Sequence, residues 1–378
     1  MRQAFFARTA ARRADLRWRP MLIWVGLLAV LLLLRTALPA AWIERVYSRG
    51  FFLGVRWVLD TLVTWSPVAL IYLFWPLLVV GVVRRIRIIR RRARTRGVFW
   101  GQLLVSTVGF LAAGLCVFLL IWAFNYGRLP VEEVLGLPEI TIDLDRLGER
   151  VRAEAAELAV LRAALPGADT SRTLPEDLFP ARPEAALRPP LEEALAAYGY
   201  PTTGRVRGRL LYPKGVFLRF SSAGLYWPFV GEGHIDAGLL PLQRPAVVAH
   251  ELAHGYGFAD EGTCSFWAYL AGLRSEDAAV RYAVRLDYWR DIAGTYRRYR
   301  NEEYTAWRTD SLDNGIRHDL EAIYANNELY PDLLPAVRYA AYDAYLKSQG
   351  VEEGIKSYGR VIDLVEAWLE GGFARTFD

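Results

Sequence analysis

His250-Glu251-Leu252-Ala253-His254 closes an apolar run that opens Arg244-Pro245-Ala246-Val247-Val248-Ala249 and ends on Gly255-Tyr256-Gly257. Pro245 suits the first turn of a helix, where its missing N–H costs nothing, and the two glycines suit its end. On such a helix two imidazoles four residues apart share one face, so neutral His250 and His254 can close on a single Zn²⁺. The glutamate between them supplies a base. The chemistry that this spacing implies is metal-assisted hydrolysis of a carbonyl compound by a zinc-activated water, with Glu251 taking the proton. The chain has only four histidines, so a chance His-Glu-x-x-His is expected in roughly a few chains per thousand. Two histidines merely packed on an amphipathic helix are the competing explanation.

A third protein ligand is needed, and two adjacent acids offer themselves. Asp260 would complete His-Glu-x-x-His-x-x-Gly-x-x-Asp, as in compact metzincin-type proteases, with Gly257 making the turn. Glu261 would instead open a second helix, 261–273, as in glutamate-type zincins, and Ser265 one turn on could then hold a ligand histidine by a hydrogen bond. The residues leave both open.

Upstream, 205–221 carries short β-like runs including Val216–Phe220, and 224–230 leads into Glu232-Gly233-His234-Ile235-Asp236. This reads as a small β edge before the zinc helix. Glu232 and His234 are candidates for substrate contact, against the simpler reading of a polar turn. Residues 142–165 form an amphipathic helix, 174–190 reads as an extended proline-rich connector, and 275–378 alternates aromatic and charged residues in long helical patterns. His318 is a candidate for oxyanion stabilisation, against a solvated surface histidine. Tyr330 and Tyr342 carry no more than that on their own.

The amino-terminal third holds long apolar runs bounded by arginines. Three transmembrane helices are expected, at about 20–40, 62–83 and 102–124; the first has a short uninterrupted run, 21–34, that extends past Arg35, and the other two are long enough for about 30 Å of hydrocarbon. A cleaved signal peptide is the alternative for the first. Arginines crowd before the first run and again over 84–96, which places both segments on the cytoplasmic side and everything after Asn125 outside. The 42–61 connection and its edge space Phe51, Phe52, Val55, Val58, Leu59 and Leu62 helically opposite Arg56 and Asp60, as an interfacial helix would. The arginine-rich loop reads as a topology anchor contacting anionic lipid, and no nucleic acid is expected. The net charge of +5 comes largely from these flanks. The two cysteines, Cys116 within an apolar run and Cys264 beside the proposed site, make no disulfide framework, so the outer domain must be held by its own core.

Several stretches resemble an uncharacterised family of bacterial membrane proteins called domain of unknown function 3810, itself similar to glutamate-type zinc metallopeptidases. They are Pro39–Tyr47, Trp122–Tyr126, Pro228–Asp236, Tyr342–Lys347 and Ser357–Arg360. The family pattern after the zinc helix, Glu-x-Glu-Ala-Asn-Phe, aligned on Phe266, implies Glu261 as the third ligand. This chain reads Glu261-Gly262-Thr263-Cys264-Ser265-Phe266, with Thr263 for the second acid and Ser265 for the asparagine.

The expected architecture is therefore mainly α: a membrane domain, 1–125, with three transmembrane helices, followed by a zincin-like, mostly helical extracytoplasmic domain, 126–378. The expected protein sits in a bacterial cell membrane as a multi-pass metallopeptidase with Zn²⁺ as cofactor and a peptide or protein as substrate. A non-catalytic, zinc-stabilised membrane scaffold or sensor is the rival from another class, and it needs no base at Glu251.

Overall fold

The computed structural model describes residues 18–63, 66–351, 354 and 359–373. Part of the Ser357–Arg360 resemblance and the arginines of the first seventeen residues lie outside them. The chain is mainly helical, with one small mixed sheet, and divides into two compact units: Met1–Pro39 with Leu70–Phe124, and Ala40–Ala69 with Asn125–Asp378.

The first unit contains α1 (Arg19–Ala37). The segment that follows belongs to the second unit: a single turn α2 (Ala40–Trp42), a π-helix over Ile43–Phe51, and α3 (Phe52–Val63). α4 (Ile71–Arg92) and α5 (Arg96–Ile121) complete the first unit. Among the described residues α1 and α5 are the two helices long and apolar enough to cross a bilayer. α1 stops short of the expected Ala40 because Pro39 forces Leu38 into an extended conformation, ψ 131°. The span expected at 62–83 is divided. α3 ends at Val63, and Pro67 sits in a non-helical link where the Ser66 hydroxyl donates to the Val68 carbonyl at 2.7 Å. The apolar part of α4, 71–83, then covers only about 20 Å before Arg84.

The chain passes from the first unit to the second between Phe124 and Asn125, and 40–69, which was expected with the membrane part, groups with the second unit. Glu44 is the reason at one end: its carboxylate takes bonds from Arg49 at 2.7 Å and from Arg128 at 2.8 and 2.9 Å. Ser48 donates to Asn125 Oδ1 at 2.8 Å. At the other end Arg56 grips Asp60 with bonds of 2.7 and 2.9 Å, and Asp60 accepts the Arg205 amide at 2.8 Å.

The second unit continues through α6 (Val131–Leu135), α7 (Leu144–Ala163) and α8 (Pro183–Ala197). The extended connector expected up to residue 190 is overturned here. α8 starts at Pro183, which suits a first turn, and runs through Pro189 and Pro190 because Leu187, Leu191, Ala194 and Leu195 form a fully buried stripe. Three strands follow, β1 (Arg207–Leu211), β2 (Gly224–Trp227) and β3 (Glu232–Asp236), in the order β1-β3-β2, with β3 parallel to β1 and antiparallel to β2. Val216–Phe220 is not a strand. The Asp236 carboxylate collects the backbone N–H groups of Gly215, Phe217 and Leu218 at 2.7, 2.7 and 3.1 Å and curls that run into a turn.

The sheet packs against α9 (Arg244–Gly255), and α9 against α10 (Glu261–Arg274). α11 (Ala278–Tyr299), α12 (Asn301–Ser311), α13 (Asn314–Glu328), α14 (Pro335–Ser348) and α15 (Arg360–Glu370) complete the unit. Its core holds Trp267, Trp289 and Trp368, each almost fully buried. A buried ion pair, Arg162 to Asp319 at 2.8 Å, is shared with the Tyr282 hydroxyl at 2.6 Å. Such a pair is costly to break, because removing one partner strands the other charge.

Candidate metal centre

The site is built by one helix, one turn and the start of a second helix. α9 opens with Pro245 in its first turn and carries His250, Glu251 and His254. Gly257, at φ +90°, reverses the chain, and its missing Cβ matters twice: a Cβ there would also lie 2.7 Å from the Phe52 ring. Asp260 then caps α10, accepting bonds from the Thr263 amide and hydroxyl, both at 2.7 Å. The cap aims the next residue, Glu261, back along α9.

Three donor atoms meet. His250 Nε2 lies 3.1 Å from His254 Nε2 and 3.0 Å from Glu261 Oε2, and His254 Nε2 lies 3.3 Å from the same oxygen. Donors about 2.0–2.1 Å from a tetrahedral Zn²⁺ stand about 3.3–3.4 Å apart, and the edges of this triangle come within about 0.4 Å of that spacing. The far atoms of each residue are also held. His254 Nδ1 is 2.8 Å from the Phe258 carbonyl, which places the proton on Nδ1 and leaves Nε2 a lone pair. His250 Nδ1 is 3.1 Å from Ser265 Oγ. Tyr342 donates its hydroxyl to Glu261 Oε1 at 2.7 Å. Burial pushes the Glu261 carboxyl up, but His254 and His250 outweigh it and hold the group well below the ordinary glutamate range, as a carboxylate.

Glu251 lies under the sheet, 4 % exposed. Room for it comes from two glycines: a Cβ on Gly224 would lie 2.5 Å from its Oε1, and one on Gly233 2.7 Å from its Cβ. Burial pushes its carboxyl above the ordinary glutamate value, the neighbouring His254 and His250 pulling the other way. Its Oε2 is buried and makes no hydrogen bond among the described residues.

A second donor set, His250, His254 and Cys264, also falls within 4.8 Å. The thiol, however, sits 3.2 Å from His254 Nδ1 and 3.3 Å from the Phe258 carbonyl, on the opposite edge of the ring from Nε2. Burial pushes that thiol up to about 12, which disfavours thiolate ligation.

A family model described as "Protein of unknown function (DUF3810)" matches residues 47–365. The chain belongs to the DUF3810 family. No curated protein and no solved structure matches it.

Within this DUF3810 chain the structure distributes the remaining sequence candidates unevenly. Asp260, the alternative ligand, is turned to its cap and to Arg360 at 2.9 Å, away from the histidines. Ser265, which stands where the family pattern has asparagine, makes the bond to His250 expected of it. Glu232 and His234 are fully buried on β3, not on a polar turn. Glu232 accepts from Arg209 at 3.0 Å, and His234 Nδ1 lies 3.3 Å from the Leu225 carbonyl. His318 is a half-buried residue of α13, 3.5 Å from Glu321, and among the described residues none of its contacts reaches the cluster.

Residues that sequence reasoning did not assign here are Tyr342, Phe258 through its carbonyl, Gly224 and Gly233. Tyr345 stacks on Tyr342 at 6.1 Å and meets the Tyr126 hydroxyl at 3.3 Å, so Tyr342 is itself supported. The family resemblance over Tyr342–Lys347 was the one trace of this in the sequence. No spacing rule links residues 81 positions apart.

Proposed function

We propose that this DUF3810 protein is a membrane-anchored zinc-dependent hydrolase, and that peptide bonds are its substrates. The observation that carries the reading is the convergence of His250 Nε2, His254 Nε2 and Glu261 Oε2 within 3.3 Å beside the buried Glu251. His250, His254 and Glu261 would hold the ion. The chemistry that Zn²⁺ supplies when bound is Lewis acidity toward a carbonyl and a water. Glu251 takes a proton from the attacking water at its carboxylate and returns it to the leaving amine. Gly224 and Gly233 leave room for it, and burial raises its carboxyl above the ordinary glutamate value. Phe258 and Ser265 fix the two imidazole planes, and Tyr342 points the Glu261 oxygen.

For the membrane part, α1 and α5 are the spans, each entered from an arginine-rich flank. Like-sided flanks require a return crossing between them, and α4 is its candidate, with Arg84, Arg85 and Arg87 snorkelling from its cytoplasmic end. Residues after Asn125 then lie on the outer side of a bacterial membrane.

A second reading, a zinc-stabilised scaffold or sensor without turnover, is favoured by the enclosure of the site: the His254 and Glu261 side chains are 8 and 7 % exposed. Metal mass spectrometry of the purified full chain tests the first reading at its base. About one zinc per native chain, lost in His254→Ala and Glu261→Ala but kept in Asp260→Ala, supports it, and a native chain without zinc after supplementation rejects it. The scaffold is separated by Glu251→Gln, which leaves a scaffold's cellular role intact and abolishes a hydrolase's.

A further inference from the structure

α3 is amphipathic the wrong way round for a water-exposed helix. Phe52, Arg56 and Asp60 recur every fourth residue and are 1, 1 and 5 % exposed, whereas Phe51, Trp57, Val58 and Leu62 are 55, 62, 46 and 62 % exposed. A helix on the surface of a soluble domain turns its charges out and its apolar stripe in. Here the charges are consumed inside, Arg56 by Asp60 and by the Tyr226 hydroxyl at 3.1 Å. Even the hydroxyl on the outward side needs no water, because Thr61 donates to the Trp57 carbonyl at 2.7 Å.

Chain connectivity says which apolar medium lies outside. The segment 40–69 is joined through Leu38 and Pro39 to the apolar helix α1, and through Leu70 to the apolar start of α4. A segment tethered at both ends to membrane-crossing helices starts and finishes at the bilayer surface, where tryptophan is the favoured aromatic anchor. Trp57 on α3 and Trp42 just before the π-helix, 44 % exposed, supply it.

We propose that the outward face of α3, formed by Trp57, Val58 and Leu62, lies with the preceding Phe51 in the headgroup–acyl boundary of the bilayer, and that its inward face backs onto the candidate metal centre. The inward link is short: Arg56 bonds Tyr226 of β2, whose ring stacks on His254 with centroids 6.5 Å apart. The site thereby addresses polypeptide segments at the bilayer surface. The seating rests on the membrane reading above, and the substrate class also on the hydrolase reading.

The test uses the full chain in lipid nanodiscs with nitroxide labels on Val58→Cys and Leu62→Cys, read by oxygen and nickel-complex collision. Native Cys116 and Cys264 are buried and stay unlabelled, which the parent chain checks. Controls are Glu302→Cys on the exposed side of α12 and Leu111→Cys on α5. Labels at 58 and 62 are expected about 5–10 Å below the phosphates, oxygen-rich and nickel-poor. Nickel access at 58 equal to that at 302 overturns the proposal, as does shielding from both reagents, which means cover by protein such as a second copy. If 111 is in lipid while 58 is not, only the seating of α3 falls; if 111 is also in water, the membrane reading falls with it.

Discussion

The Tyr342 hydroxyl donates to Oε1 of Glu261 at 2.7 Å, so the other oxygen, Oε2, is the one presented to His250 and His254 at 3.0 and 3.3 Å. A carboxylate held by one oxygen has one oxygen left to ligate. Groups of this kind orient a ligand and typically change metal affinity by about 10–100-fold when removed. Tyr342→Phe is therefore expected to weaken zinc binding by about that factor with stoichiometry unchanged. A chelator-competition titration against the native chain measures it, and equal affinities would show that the bond does not position Glu261.

Glu251 contributes no donor atom to the triangle, so Glu251→Gln should keep about one zinc while losing peptide hydrolysis by about 10²–10⁴-fold, the usual weight of a general base. Zinc analysis and a cleavage assay on the same preparation give the two halves of that prediction. Loss of zinc in this variant would make Glu251 part of the metal-holding set.

Asp260 and Glu261 separate in the opposite sense. Asp260→Ala removes a helix cap and a partner of Arg360, and should cost about 1 kcal/mol or somewhat more of stability while leaving zinc in place. Glu261→Ala should release the metal. Melting temperature and zinc content, measured together on both variants, make the comparison.

A methyl group at Gly233 would come 2.7 Å from the Glu251 Cβ. Gly233→Ala is expected to lower stability by about 1–3 kcal/mol through overpacking between β3 and α9, and to displace the base. A thermal melt shows the first effect. Lowered turnover at unchanged zinc content shows the second.

Glu44 sets a pH dependence. Burial raises its carboxyl, but Arg128 and Arg49 outweigh burial and hold it below the ordinary glutamate value. A group whose pKa is lower folded than unfolded stabilises the fold above its unfolded value, about 4.3, and that contribution drains away as pH falls through the folded one. Stability should thus decline from about pH 5 downward. Glu44→Gln should flatten part of that decline and lower stability at pH 7 by about 3 kcal/mol, since Arg128 is left buried without its charge partner. Melting curves between pH 3.5 and 7 distinguish the two chains, and parallel curves would show that Glu44 is not the group responsible.

The sequence reads well where the physics is local. The helix that carries His250, Glu251 and His254 follows from residue spacing and a proline, and α9 runs over Arg244–Gly255 as that pattern requires. The apolar helices at both ends of the first unit are composition written over a long run, and α1 and α5 are there. Reading fails where a distant partner overrides a local preference. Val216–Phe220 has a strand's composition, yet Asp236 draws its amides into a turn, and Pro189 and Pro190 sit within a helix because its apolar stripe is buried. The 42–61 segment has the periodicity of an interfacial helix, but periodicity cannot say that Arg56 and Asp60 point into protein, since their partners Tyr226 and Arg205 lie some 145–170 residues on.

The sequence by itself determined that two imidazoles share a helix face with a glutamate on its flank, because a 3.6-residue period places residues four apart together and the intervening one about 100° round, whatever surrounds them. It also determined that a turn with acids follows. Only the tertiary structure shows which of those acids lies against the histidines. Asp260 is spent on the α10 amides and on Arg360, while Glu261 swings to the histidines with Tyr342 behind it, a choice made by a cap geometry and by a hydroxyl 81 residues away, neither of which local spacing encodes.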